Sequence, residues 1–279
     1  MLTLRRLLMP KTKVRDMEIY YDVHGKGFPL VLIRGLGSNA DHWYAQIPAF
    51  SSHFSVVTFD NRGIGRSQKT EEPYTISMMA EDTVALMDSI GISRAHVLGI
   101  SMGGMIAQRI ALSYPLKVSG LVLACTHCGG GHAVRTSEEI GKIFVEYIFT
   151  GSQEAAQKAA TCLFTERTLN ERPEIIHQYQ EVSKKFVPES ATLISQWKAV
   201  QGHDTWAGLP NIKTPTLVIS GSEDILIPPQ NSTILAERIP DARLKVIEGG
   251  GHQFLVEQAG AFNEAVLDFL GSLSEQPVF

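Results

Sequence analysis

Short apolar runs alternate along the chain with segments that carry apolar residues at helical spacing. The runs have the length of strands and contain few polar positions, which is typical of strands that helices cover on both faces. Such strands are predicted at 28–34, 54–59, 95–100, 118–124 and 216–220. Between them, segments such as 78–90 place apolar side chains along one side of a helix. This alternation predicts an α/β fold with a mainly parallel sheet and helices on both faces.

Three further segments complete the predicted core. Residues 13–23 predict an N-terminal hairpin that turns near Asp16. Residues 243–247 predict a last strand, which is followed by a closing helix. A helix is also predicted at about 41–50, after the loop that begins at Gly35.

The pattern changes in the middle of the chain. From about His127 to Gly208 helical spacings follow one another without a strand signal, and Gly151 and Gly202 are placed like helix C-caps. We therefore expect three parts: residues 1–126 and 211–279 as the two halves of the core, and residues 127–210 as a helical cap.

Composition narrows the class of protein. The chain has 279 residues, 44% of them hydrophobic, and a net charge of −4, which argues against nucleic acid or an anionic membrane surface as a partner. Three cysteines make no disulfide framework, and neither a signal-peptide core nor a membrane span is predicted, so a cytoplasmic protein is expected. The sequence calls for no cofactor and leaves the oligomeric state open.

The segment Gly99-Ile-Ser101-Met-Gly103 matches the pattern G-x-S-x-G, in which a serine sits on a tight turn between a strand and a helix. Such a turn exposes the hydroxyl and places the Met102 amide at a helix N-terminus, where negative charge is stabilised. A glycine-rich turn whose serine only caps the helix is the alternative. The predicted strand before the motif and the predicted helix after it favour a nucleophile.

A serine nucleophile needs a base and a group that orients the base. Asp224 follows the strand at 216–220, and His252 is the only histidine downstream of it, so both are predicted at the carboxyl edge of the sheet. Glu223 and Asp204 remain alternative acids, and His252 has a purely structural alternative as a buried histidine. The Leu36 amide, in the loop after the strand at 28–34, is predicted to share the oxyanion hole with Met102.

These motifs resemble the lid-bearing branch of the α/β-hydrolase superfamily. The resemblance rests on the turn 99–103, called the nucleophile elbow, and on Gly221–Asp224, Gly251-His252 and Asp60–Ser67. Leu36-Gly37, Trp43 and the segment 99–105 look most like oxoadipate enol-lactonases and small carboxylesterases. The resemblance implies an α/β-hydrolase fold with an α-helical cap, and a serine hydrolase that cleaves a small carboxylic ester or lactone through an acyl-enzyme. Hydrolysis of C–C bonds and perhydrolysis use the same parts and remain open.

Two functions from other classes compete with a serine hydrolase. Gly35-x-Gly37-x-x-Ala40, with Asp60 about 20 residues on, resembles a dinucleotide-binding fingerprint, but no further residues support hydride chemistry. A hydrolase fold that only binds a ligand is the other. Cys125-Thr-His-Cys128, with His132 nearby, offers metal ligands, yet buried or mouth-lining thiols are the favoured interpretation and no metal is expected.

Arg34 departs from the family pattern, because many members carry His-Gly where this chain has Arg34-Gly35. The favoured expectation pairs Arg34 with Asp60, since a half-buried arginine needs a carboxylate partner. The alternative expectation is that Arg34 binds a carboxylate on the substrate. Asp60 and Arg62 are expected to form turn and ion-pair structure, and Trp43 belongs either to the core or to the wall of the substrate pocket.

Overall fold

Eight strands form one sheet in the computed structural model, which describes residues 10–70 and 73–274. The strands are β1 (Lys11–Val14), β2 (Met17–His24), β3 (Pro29–Ile33), β4 (Ser55–Phe59), β5 (Ala95–Ile100), β6 (Val118–Ala124), β7 (Thr216–Gly221) and β8 (Arg243–Ile247). Their order across the sheet is β1-β2-β4-β3-β5-β6-β7-β8. The β1–β2 and β2–β4 pairs are antiparallel and the other pairs are parallel, which confirms the predicted mainly parallel sheet.

The helices cover both faces of this sheet. They are α1 (Ile47–Phe50), α2 (Ile76–Ser89), α3 (Met102–Ser113), α4 (Glu138–Thr150), α5 (Gln153–Thr161), α6 (Glu166–Glu171), α7 (Pro173–Lys185), α8 (Ser190–Gln201), α9 (Gln230–Arg238), α10 (Phe254–Glu257) and α11 (Ala259–Ser274). Side chains of β3 alternate between two apolar clusters: Val31 and Ile33 join residues of α2, α3 and α9, whereas Leu30 and Leu32 join residues of α1, α10 and α11. The β3 strand is therefore buried on both sides, as its continuous apolar run predicted.

The predicted hairpin at the N-terminal end is confirmed. Val14 and Met17 are paired, so the turn consists of Arg15 and Asp16, and Arg15 takes the positive φ of 55° that a tight hairpin turn requires. The segment 1–9, in which no signal peptide is predicted, lies outside the described residues.

The single helix predicted at 41–50 is wrong. The chain instead forms a 3-10 turn at Ala40–Trp43 and then the short helix α1. Pro48 lies in the first turn of α1, where it lacks an amide hydrogen and its ring would clash with a carbonyl of a preceding turn. A proline at this place begins a helix and cannot continue one, which explains the break.

Between β6 and β7 the chain forms the helices α4–α8, which we call the cap helices. The structure describes this whole stretch, and its only strand-like pairing is an isolated bridge between Gly129 and Asp204. Gly151 ends α4 in the left-handed conformation, and Gly202 ends α8 in the right-handed one. The domain limits at 127 and 210 remain a prediction.

No helix in the described part of the chain is long and apolar enough to cross a membrane.

Three buried histidines and the partly buried His127 predict that the protein loses stability in mild acid. Burial lowers the pKa of His42 and His203 from 6.5 to about 3, and that of His96 and His127 to about 4. Below pH 6.5 these histidines bind protons in the unfolded chain but stay neutral in the folded chain. The free energy of unfolding therefore falls as the pH drops from about 6.5 towards 4. Each histidine adds up to about 1.4 kcal/mol per pH unit to this slope.

Urea denaturation at pH 7, 6 and 5 measures the slope, and His96→Phe should make it shallower. His96 is the suitable position because its ring already packs against Phe28 and Phe54. A free energy of unfolding that does not change between pH 7 and 5 would contradict this prediction.

Candidate active site

The predicted nucleophile Ser101 lies on a sharp turn between β5 and α3. Its φ of 54° and ψ of −122° fall in a region that residues with a side chain rarely adopt. The Ser101 amide donates to the Ala124 carbonyl oxygen over 2.9 Å, which ties the turn to the end of β6. A non-glycine residue persists in such a conformation only where its surroundings hold it, and such residues cluster at functional sites.

The two glycines of the motif allow backbone to touch backbone. A Cβ atom at Gly99 would lie 2.1 Å from the Gly103 carbonyl oxygen, and one at Gly103 would lie 2.1 Å from the Ile33 carbonyl oxygen. No larger residue fits either position. The start of α3 is thereby held against the end of β3. A Cβ atom at Gly35 would lie 3.1 Å from the Ser101 Cβ, so the loop after β3 runs beside the serine.

The two amides predicted for the oxyanion hole belong to this contact. Leu36 follows Gly35, and Met102 is the first residue of α3. Neither amide donates a hydrogen bond to a described residue. Both are therefore free to donate to an oxygen that is bound beside Ser101.

The structure brings Asp224 and His252 together at the carboxyl edge of the sheet. His252 Nδ1 lies 2.7 Å from Asp224 Oδ2, and both side chains are almost fully buried. The other oxygen, Asp224 Oδ1, accepts the amides of Leu226 and Ile227 over 2.9 and 2.8 Å. A carboxylate held by two amides accepts the Nδ1 proton of a neutral imidazole, which leaves the imidazole Nε2 as a proton acceptor.

The other acids that the sequence left open lie elsewhere. Glu223 is exposed, although it neighbours Asp224. Asp204 Oδ1 accepts the Trp206 amide over 3.0 Å at the base of the cap helices. Neither of them contacts His252.

Glu257 is a buried residue of this site that the sequence analysis missed. Its Oε2 accepts the Gly251 amide over 2.8 Å, and its Oε1 accepts the amide and hydroxyl of Thr165 over 2.8 and 3.1 Å. One carboxylate thus holds the loop that carries His252 and ties it to the N-terminus of α6. The available signal was an acid directly after the apolar segment Phe254-Leu-Val.

Two more contacts between the cap helices and the core were also missed. Gln196 of α8 accepts the Gly37 amide over 2.9 Å, and His42 Nε2 lies 3.0 Å from the Ser183 hydroxyl of α7. The signal for Gln196 was a polar residue on the apolar side of its helix, where Leu193 is buried. These contacts place the cap helices over the loop that carries Leu36.

Cys125 is a buried thiol beside Asp224 and His252. One ligand-type atom from each of these three residues lies within 4.8 Å of the others. Burial raises the pKa of the Cys125 thiol well above its ordinary value, and the Asp224 charge raises it further. The thiol is therefore neutral at pH 7, which makes it a poor nucleophile.

The remaining ligand candidates of this segment do not join that cluster within the described chain. His127 Nδ1 accepts the Gly129 amide over 3.0 Å, and His132 stacks on Trp206 with ring centroids 3.9 Å apart. Cys128 is a free, buried thiol like Cys125. The motif 125–128 therefore gathers no four-ligand site.

The expected pairing of Arg34 with Asp60 is wrong. Asp60 is bound instead by Arg66, whose Nε and Nη2 donate to its two oxygens over 2.8 and 3.0 Å, and by the Ala40 amide over 2.7 Å. Arg66 reaches Asp60 because it lies in the same loop, six residues along the chain. Arg62 forms the other expected type of ion pair, with Asp82 over 2.8 Å.

Arg34 lies against aromatic side chains instead. Its guanidinium carbon is 4.9 Å from the centre of the Trp43 ring, and both residues are at most 1% exposed. Trp43 is therefore a core residue that also forms a wall beside Arg34. Burial lowers the pKa of Arg34, while the neighbouring Tyr179, Cys125 and Tyr44 side chains favour its charged form. The Tyr179 hydroxyl lies nearby, yet no guanidinium nitrogen makes a well-formed hydrogen bond with a described residue.

The dinucleotide fingerprint has another explanation in this fold. Gly35 faces Ser101, and the loop leads into a 3-10 turn of four residues. A pyrophosphate site of that kind uses the N-terminus of a long helix and a free acid on the next strand. Here Asp60 is occupied by Arg66.

Comparison with known proteins agrees with this geometry. The family model described as alpha/beta hydrolase fold matches residues 29–259. The chain belongs to the alpha/beta hydrolase family. It is 30% identical to a putative carbamate hydrolase RutD from Azorhizobium caulinodans, over 96% of the chain and 100% of that protein.

Solved structures of other hydrolases share the fold. The enol-lactonase from Burkholderia xenovorans LB400 superposes with a TM-score of 0.84 at 29% identity, covering 94% of the chain and all of that structure. Est816, described as an N-acyl homoserine lactone degrading enzyme, gives a TM-score of 0.80 at 32% identity over 93% of the chain and all of that structure. The protein is therefore a hydrolase enzyme with the predicted α/β-hydrolase fold.

The backbone contact at the elbow predicts that Gly103→Ala destabilises the hydrolase. The added methyl group would meet the Ile33 carbonyl oxygen, which belongs to the central sheet, so we expect a loss of about 1–3 kcal/mol or more. Gly271→Ala in α11 is the control, because nothing lies within 4 Å of its added methyl group. It should raise the free energy of unfolding by about 0.5–1 kcal/mol. Equal effects of the two substitutions on urea denaturation would contradict the proposed tight contact.

Proposed function

We propose that this hydrolase cleaves a small carboxylic ester or lactone through an acyl-enzyme formed on Ser101. The observation that carries the proposal is the 2.7 Å contact between His252 Nδ1 and Asp224 Oδ2, at the sheet edge where Ser101 lies on its strained turn. A base that is already oriented by a carboxylate is what a serine needs to become nucleophilic.

The reaction has two halves. His252 Nε2 takes the proton of the Ser101 hydroxyl as the oxygen attacks the carbonyl carbon, and then gives that proton to the departing alkoxide. Water repeats the sequence in the second half: it loses a proton to His252 and attacks the acyl carbon, and His252 then returns that proton to the departing serine oxygen, which releases the acid and the free serine. In a lactone the alkoxide stays attached to the acyl group, so one product forms. Asp224 holds the imidazole in position and stabilises its transient charge.

The oxyanion of each tetrahedral intermediate is proposed to bind the Leu36 and Met102 amides. Both amides lack another acceptor among the described residues, and Met102 adds the positive end of the α3 dipole. Each fixed donor stabilises the transition state by about 3–4 kcal/mol, as judged by the loss of kcat when one such donor is removed.

We propose further that residues 127–210 act as a cap over this edge of the sheet. The contact of Gln196 with Gly37, and that of Glu257 with Thr165, support this role because they join cap helices to the loops that carry Leu36 and His252. The substrate would enter between the cap helices and the carboxyl ends of the strands, where ligands bind in open α/β sheets.

The names of the three relatives described above point to cleavage of an acyl bond to oxygen or nitrogen. A carbamate, an enol lactone and an acyl homoserine lactone all carry a carbonyl carbon bonded to such an atom. Hydrolysis of C–C bonds and perhydrolysis would use the same three residues. Activity on p-nitrophenyl esters, simple lactones and a vinylogous 1,5-diketone, measured with and without hydrogen peroxide, separates these possibilities.

Ser101→Ala should lower kcat/KM for ester hydrolysis by three orders of magnitude or more. The free energy of unfolding should not fall, because the hydroxyl makes no hydrogen bond to a described residue. Ser232→Ala, at a buried position of α9, is the matched control and should leave kcat/KM unchanged. A Ser101→Ala protein that keeps more than a tenth of the activity would exclude the assignment.

Asp224→Asn should lower kcat/KM on the order of 10⁴-fold. The asparagine oxygen would still accept the Leu226 and Ile227 amides, so its NH2 group would face His252 Nδ1. The imidazole would then carry its proton on Nε2 and could not accept one from Ser101. Glu223→Gln, at the exposed neighbouring acid, is the control and should have little effect. The reverse ranking in steady-state kinetics would make Glu223 the acid.

A further inference from the structure

Five polar atoms around Arg34 are buried and make no well-formed hydrogen bond with a described residue, although the Tyr179 hydroxyl lies near the guanidinium. They are Arg34 Nε, Nη1 and Nη2, Trp43 Nε1 and the Tyr44 hydroxyl. Buried donors are nearly always paired, because each unpaired one costs free energy. Five in one cluster indicate a site whose acceptor comes from outside the protein.

The cluster also carries a positive charge that no described acid neutralises. No described carboxylate lies within ion-pair distance of Arg34, and the side chains that favour its charged form most are those of Tyr179, Cys125 and Tyr44. Burial raises the pKa of Tyr44 to about 12, and burial together with the Arg34 charge lowers the pKa of His42 to about 3. Both side chains are therefore neutral at pH 7. An unpaired buried guanidinium costs several kcal/mol unless an anion joins it.

The position of the cluster connects it with the proposed acyl-enzyme chemistry. Arg34 directly precedes Gly35, which faces Ser101. The charges of Arg34 and Asp224 both act on the Cys125 thiol, so the guanidinium and the proposed partner of His252 both lie near Cys125. Tyr179 of α7 closes the cluster from the cap side, where it packs on His42 with ring centroids 5.0 Å apart.

We propose that Arg34 and the Tyr44 hydroxyl bind a carboxylate on the substrate, so that the enzyme acts on monoesters or lactones of dicarboxylic acids. A carboxylate fits the guanidinium because both groups are planar and form two parallel hydrogen bonds. The aromatic side chains of Trp43, Tyr44 and Tyr179 leave little room for water to compete, which strengthens such a pair. This inference rests on the proposed function, since it names the substrate class of the same site.

A binding experiment tests the carboxylate site without turnover. The melting temperature of Ser101→Ala is measured with succinate and with succinamide, its neutral counterpart. Succinate should raise the melting temperature in a concentration-dependent manner, succinamide should not, and Arg34→Met should abolish the succinate effect. Equal stabilisation of Arg34→Met by succinate, or none of Ser101→Ala, would overturn the proposal.

A kinetic experiment tests the same site during hydrolysis. Monoethyl succinate and ethyl isocaproate have the same number of heavy atoms and the same branching, but only the first carries a carboxylate. The unmodified enzyme should favour monoethyl succinate, and Arg34→Met should lower its kcat/KM for that ester by roughly 10- to 150-fold while changing that for ethyl isocaproate little. Arg34→Lys should recover part of the loss, because it keeps the charge without the planar fork. Equal losses on both esters would make Arg34 a structural residue.

Arg62→Met is the matched control for stability. Arg62 is as buried as Arg34 but is paired with Asp82, so its loss should lower the melting temperature, whereas Arg34→Met should not. If Arg34→Met does not fold, Tyr44→Phe decides the matter, since it removes one unpaired hydroxyl and should weaken only monoethyl succinate hydrolysis. An inactive enzyme that still binds succinate through Arg34 would refute the proposed function and leave the carboxylate site standing.

Discussion

Direct contact between backbones at the end of the central strands determines where the proposed nucleophile of this hydrolase lies. The start of α3 lies so close to the end of β3 that a single methyl group at Gly103 would meet the Ile33 carbonyl oxygen. This contact holds Ser101 in its unusual conformation and brings the loop with Leu36 beside it. The parallel order of β3, β5, β6 and β7 then delivers Asp224 to the same edge, because parallel strands all end there.

Polar side chains around this edge of the sheet are of two kinds, those with hydrogen-bond partners and those without. Those that build the site are fully paired: Asp224 is bound by His252 and two amides, and Glu257 by Gly251 and Thr165. The donors around Arg34 are unpaired. A network in which every hydrogen bond is made forms a rigid scaffold. Donors that lack an acceptor beside such a scaffold are suited to bind a ligand.

The sequence was sufficient for the fold and for the candidate residues of the site. Strand periodicity located β5, β6 and β8 to the residue, and chain order alone led to Asp224 and His252, because both lie at strand ends that a parallel sheet aligns. The break at Pro48 was missed because the apolar spacing of 41–50 suits a helix whether or not an amide hydrogen is present. The spacing of apolar residues indicates which positions face the core, but it does not indicate where a helix is interrupted.

Long-range partners were harder to predict. Arg34 and Asp60 end adjacent strands, but Arg66 competes for the same carboxylate from six residues away. Glu257 and Gln196 make contacts that span 92 and 159 residues, and no periodicity reveals such a partner. Partner choice among several charged groups depends on side-chain direction, which only the three-dimensional structure supplies.

The most direct test of the acyl-enzyme account is intact-protein mass spectrometry after reaction with a fluorophosphonate, followed by peptide mapping. The account predicts one adduct per chain on the peptide that contains Ser101, with activity lost in proportion to labelling and no adduct on the Ser101→Ala variant. An adduct on Cys125, the buried thiol beside His252, or full labelling of another residue with activity retained, would contradict it.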